Sequence, residues 1–200
     1  MVFKTVDNAD DQLLWKELMS GDDDAYSCIY KGHIGELFSY GMRFTADREL
    51  IKDCIQDVFV NIYKNRSNLK MVDNIKLYLF IALKNRLFSV FEKNKQFYYI
   101  DSIEPVFSVD YSIEEEIIQN ERLAEQRENI KCILGILTPR QKEVIYYRYA
   151  KGMKISHICE IMNMNFQSVQ NLLQRAIKKI HSTFIEKDHR IYKLRKNPYY

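Results

Sequence analysis

Glycine and proline are scarce in this chain, six and three in 200 residues. So few breakers, set among long periodic stretches, predict an all-α protein. No apolar run approaches the length of a membrane span, and residues 1–11 are polar and acidic, with no apolar signal core. That pattern predicts a cytoplasmic protein that does not insert into membranes. Catalytic signatures are missing too. There is no glycine-rich phosphate loop and no nucleophile–base pair, and the four histidines are scattered. No enzymatic activity, cofactor or metal site is therefore expected. Cys28, Cys54, Cys132 and Cys159 form no C-x-x-C pair, and each falls in an apolar helical stripe. They read as reduced core cysteines rather than disulfide or zinc ligands.

Charge is plentiful but unevenly placed. Residues 1–100 carry 14 Lys/Arg against 14 Asp/Glu, residues 101–128 carry 2 against 9, and residues 129–200 carry 14 against 4. A neutral front, an acidic middle and a basic back predict two domains joined by an acidic linker, with the basic end as the polyanion binder. The expected boundaries are 1–97, a linker over 98–128, a second domain over 129–184, and a basic tail over 185–200. The tail reads as partly unstructured.

Helix signals are dense. A first short helix stops at Gly21, and Asp22, Asp23 and Asp24 open a second that runs to about Gly41. Its apolar side is Tyr26, Ile29, Tyr30, Ile34, Leu37 and Phe38. Thr45 or Asp47 caps a third helix whose stripe is Ile51, Ile55, Val58 and Ile62. Residues 65–73 form a polar break, followed by a long helix over about 74–94 that is rich in aromatics. Phe88 and Phe91 read as core, with Tyr78 left open. Further on, Thr138 with Gln141 is a capping box, and Pro139 suits the first helical position.

Residues 154–180 have the pattern of a helix-turn-helix. Ile158 and Ile161 face inward from the first helix, and Met164 fills the turn. Val169, Leu172, Leu173, Ala176 and Ile180 form the inner side of the second. Its other side carries Gln167, Gln170, Asn171, Gln174 and Lys178, with Arg175 alongside. Amide and guanidinium groups in such a row suit base edges in a major groove, and Lys178 suits a phosphate. An ordinary solvated helix face is the competing reading.

Two segments in order carry a resemblance. Asp53-Cys54-Ile55-Gln56-Asp57-Val58-Phe59 and the residues to Tyr63 resemble the core-binding helix of the extracytoplasmic-function group of sigma-70-type factors. Tyr78-Leu79-Phe80-Ile81-Ala82-Leu83-Lys84-Asn85-Arg86 resembles that family's next helix. Downstream, residues 137–144 and the helix-turn-helix are similar to its C-terminal domain, so the resemblance spans about residues 13–183. Asn163 departs from the usual turn glycine, and Gln170 and Leu172 depart from the usual basic residues.

The resemblance implies an all-α protein of two small helical domains, a region 2 bundle and a region 4 helix-turn-helix domain. It implies a transcription initiation factor that binds core RNA polymerase through the β′ clamp helices and the β flap, and that reads promoter DNA. An anti-sigma factor is a further implied partner. Core binding would fall to Asp53, Gln56, Asp57 and Val60. The −10 element would fall to Asn68, Leu69, Lys70 and Met71 in the break, with Lys84, Asn85 and Arg86 on the following helix. The −35 element would fall to Gln167, Gln170, Asn171, Gln174, Arg175 and Lys178. In polymerase, the acidic linker would occupy channels that otherwise hold nucleic acid. The competing function is a stand-alone helix-turn-helix regulator with an N-terminal sensing or dimerisation domain.

Overall fold

The computed structural model describes the backbone of residues 8–98, 107 and 134–195, and the side chains of 11–93, 107 and 134–183. The acidic stretch 108–128 and Cys132 lie outside them. The chain divides into two compact units, Met1–Val106 and Phe107–Tyr200. Among the described residues every regular element is helical.

The first unit contains α1 (Asn8–Met19), α2 (Asp23–Gly41), α3 (Arg48–Lys64), a 3-10 turn (Arg66–Asn68) and α4 (Ile75–Tyr98). Gly21 ends α1 at φ +96°, where a side chain would be strained. Asp22 then caps α2, its carboxylate accepting from the amides of Asp24 and Ala25 at 2.8 and 3.1 Å. Asp47 caps α3 by accepting from Leu50 N–H at 3.0 Å, while Thr45 Oγ1 accepts from Asp47 N–H. The α3 stripe is buried as its spacing predicts, with Ile51 fully enclosed. Gly41 brings the end of α2 against it: a Cβ at that position would lie 2.6 Å from Ile51 Cγ2. Tyr40 stacks on Phe80 of α4, with centroids 4.4 Å apart and planes 2° from parallel. Phe88 stands edge-on to Phe44.

The α2 stripe is only partly core. Ile29 and Leu37 are buried, but Tyr26, Tyr30, Ile34 and Phe38 are half-buried. A periodic stripe gives the direction a helix faces, not whether a neighbour covers it. The cysteine expectation also needs correcting. Cys54 is buried, but Cys28 is exposed and Cys159 only half-buried.

The second unit contains α5 (Pro139–Ile145), a π turn (Tyr146–Ala150), α6 (Ile155–Met162) and α7 (Phe166–Arg195). The capping box at Thr138 forms in both directions: Gln141 N–H donates to Thr138 Oγ1, and Thr138 N–H donates to Gln141 Oε1. Glu143, though charged, is buried and accepts from Tyr147 OH at 2.9 Å. Phe107 packs against Tyr146 and Tyr147. Ala176 meets Leu134 and Leu137, with Ile180 packed beside them. The helix α7 continues through Arg195, so the stretch from 185 to that residue is helical and not an unstructured tail.

Candidate nucleic-acid and protein interface

The turn between α6 and α7 is made by residues that satisfy its backbone. Asn163 takes the left-handed conformation at φ 50°, ψ 53° and donates its N–H to Glu160 O, doing what glycine usually does there. Asn165 Oδ1 accepts from Ser168 N–H at 2.8 Å and so starts α7. Ile158 and Val169 are fully buried behind the turn and Ile161 nearly so. With that side fixed inward, Gln167, Asn171, Gln174, Arg175 and Lys178 are exposed, while Gln170 is half-buried. Gln167 Nε2 donates to Asn171 Oδ1 at 3.0 Å, which aligns the two amides. Phe166, 54% exposed at the head of the same helix, extends this face with an aromatic ring. Sequence periodicity gave no reason to single it out.

In the first unit, Asp53, Gln56, Asp57 and Val60 are all exposed on the outer side of α3. Asp57 is engaged, however. Its Oδ2 accepts from Arg86 Nε at 2.8 Å and Nη2 at 2.6 Å. A residue expected to meet polymerase thus holds one expected to meet DNA. Beneath the pair lies Cys54, whose thiol is pushed up to about 11 by burial; Arg86 opposes that rise, and Asp57 and Asp53 add to it. On the other flank of α3 runs an open groove of about 840 Å³, lined by Tyr26, Tyr30, Phe38 and Phe59 with Arg48 and Lys52. Gln56 and Val60 border it as well as the Asp57–Arg86 hollow. Tyr26, Tyr30 and Phe38 belong to the apolar side of α2 read from the sequence, and the structure leaves them half-buried along this groove.

The break between α3 and α4 exposes Asn68, Lys70 and Met71, the last 55% exposed, and turns Leu69 half inward. Lys84, Asn85 and Arg86 do not form one contact surface. Consecutive helical positions point about 100° apart. Lys84 is buried, with its ammonium 5.6 Å from the centre of the Phe88 ring. Asn85 is exposed, and Arg86 is held by Asp57. Of the three, only Asn85 stands clear in this structure. Tyr78 is half-buried against Trp15.

Residues 127–180 match the family model "Sigma-70, region 4". This is the segment that contains the helix-turn-helix and its exposed amide row. CnrH, solved in complex with the cytosolic domain of CnrY, superposes with a TM-score of 0.58 at 17% identity, covering 91% of this chain and 99% of that one. The chain thus contains a segment similar to region 4 of sigma-70-type factors. The sigma factor RpoE from Bartonella quintana, solved with the anti-sigma factor NepR, superposes at 0.53 with 18% identity, over 76% of this chain and 92% of that one. Among curated protein sequences none matches. At these identities the superpositions show a shared fold: the helical arrangement of this chain is similar to that of CnrH and RpoE.

Proposed function

We propose that this chain is a sigma-70-type factor that directs core RNA polymerase to promoters through three separate surfaces. Asp53, Gln56 and Val60 on α3 dock on the β′ clamp helices, with Asp57 joining them when a basic group of the partner displaces Arg86. Asn68, Lys70 and Met71, with Leu69 as their apolar backing, capture an unstacked base of the −10 element, and Asn85 supports the neighbouring nucleotide. Gln167, Gln170, Asn171, Gln174 and Arg175 read base edges of the −35 element while Lys178 meets phosphate. The observation that carries this reading is the exposed amide row on the second helix of a helix-turn-helix that lies inside the region 4 match.

The linker and partners follow the same reading. The stretch 98–128 joins the two domains, and its acidic residues 101–128 occupy polymerase channels in place of nucleic acid. The second unit also meets the β flap. An anti-sigma factor covers the α3 face and its groove; the complexes of CnrH with CnrY and of RpoE with NepR support this in kind. The site of action is the cytoplasm, and among the described residues no helix is long and apolar enough to cross a membrane.

The deciding experiment is in vitro transcription with core polymerase and genomic DNA, with start sites mapped. The expected outcome is a small set of promoters sharing −10 and −35 elements. Failure to associate with core polymerase, alongside binding of free duplex by the second unit, would favour the stand-alone regulator.

A further inference from the structure

Trp15 is the chain's single tryptophan and is fully buried. Its indole Nε1 does not bond within its own neighbourhood. It donates at 2.9 Å to the carbonyl of Lys70, 55 positions along the chain. Residues 69–74 have no regular structure, so side-chain tethers decide their shape. At one end, Asn68 N–H closes on Asn65 O at 2.8 Å, and Arg66 donates to Tyr63 O while lying over the Tyr63 ring. At the other end, Asn74 Oδ1 accepts from Leu77 N–H at 2.9 Å and starts α4. Trp15 holds the middle. Its ring is itself fixed edge-on to Tyr78 of α4, with centroids 5.2 Å apart at 66°. With the Lys70 carbonyl drawn towards α1, the side chains of Lys70 and Met71 stand outward.

We propose that Trp15 is a positioning residue for −10 recognition: by holding the Lys70 carbonyl it presets the loop in the shape that receives a base. The inference rests on the loop reading given under Proposed function. A loop already in its receiving shape loses less freedom on binding, and a wrong base then meets a surface that does not adapt to it. Trp15 touches no DNA in this scheme. Its effect appears as discrimination at −10, not as affinity for polymerase or for the −35 element.

Because there is one tryptophan, residue-wide replacement by β-(3-benzothienyl)alanine alters position 15 alone and keeps the ring shape while removing the N–H. Holoenzyme made with this full-length protein is assayed on promoter fragments carrying each base at each −10 position. The expected result is unchanged core and −35 affinity with about three- to tenfold weaker discrimination at one −10 position, the range of one hydrogen bond. Trp15→Phe, which loses the same donor, should show the same loss. Replacement by 5-hydroxytryptophan, which keeps the N–H, should retain discrimination. The loop reading is tested separately with Asn68→Ala and Met71→Ala. If those variants lose discrimination and the benzothienyl protein does not, Trp15 is only core and the proposal is overturned. If the loop variants change nothing, the loop reading fails and the proposal falls with it. Should the benzothienyl protein misfold, Trp15→Phe decides: full −10 discrimination in that folded variant overturns the proposal.

Discussion

In the N-terminal unit several of the groups assigned to binding are tied to the fold: Asp57 to Arg86, the Lys70 carbonyl to Trp15, Lys84 to the interior. On α7 they stand together on one helix side, where Gln167 donates to Asn171. The contrast matches two tasks. A duplex major groove is a regular surface, and a correctly aimed helix meets it with side chains that need only rotate. A melted strand is irregular, so its receptor must hold a shape of its own. Substitutions should therefore separate cleanly from stability in the second unit and mix with it in the first.

The sharpest break of this contrast lies inside the small second unit. Ile158→Ala removes a fully buried side chain behind the turn and should cost about 2–5 kcal/mol. In a unit of this size that lowers its melting temperature by about 8 °C or more. Differential scanning calorimetry should show that transition fall, −35 binding should be lost, and polymerase affinity through α3 should remain. Loss of all three together would mean the units do not act separately.

Next comes Gly41→Ala in the first unit. The new Cβ would press on Ile51, which is β-branched, enclosed and unable to swing away. Overpacking of that kind costs about 1–3 kcal/mol. Chemical denaturation should detect it, and polymerase affinity should drop because the α3 face shifts with Ile51.

Gln174→Ala tests the exposed side of α7. It should leave melting unchanged and relax one −35 position by about 1–3 kcal/mol of discrimination. Lys178→Ala should instead weaken all sequences alike and reduce the salt slope by about one. Equal, sequence-independent losses from both would remove the base-reading assignment.

The smallest effect concerns Asp57 and Arg86. Both are substantially exposed, so their coupling in a double-mutant cycle of Asp57→Asn and Arg86→Met should be about 0.2–1 kcal/mol. The same cycle measured on polymerase binding should shrink towards zero if docking parts the pair. A coupling that survives docking unchanged would make the pair a simple brace.

Much of this was legible in the sequence. Gly21, Asp22, Thr138, Gln141 and Asn163 mark helix ends through local chemistry, and each acts as its residue type predicts. The α3 and helix-turn-helix stripes were legible for the same reason. What escaped was set by distant neighbours. The Trp15 bond spans 55 positions and the Asp57–Arg86 pair 29, and no periodicity reports either. Tyr26, Tyr30 and Phe38 lie on the apolar side of α2, but nothing local says whether a neighbour covers them, and among the described residues they stay half-buried. Lys84 and Cys28 failed in opposite senses: residue type suggested exposure for one and burial for the other, and packing reversed both.

The uninterrupted course of α7 has a mechanical meaning. From Gln167 to Arg195 the rod is about 42 Å long at 1.5 Å per residue. The head proposed to meet DNA and the far end therefore belong to one continuous helix. Pivoting it by ten degrees about the far end moves the head by about 7 Å, two base-pair steps along a duplex. In the proposed complex, whatever grips the far end sets the angle at which the amide row enters the groove.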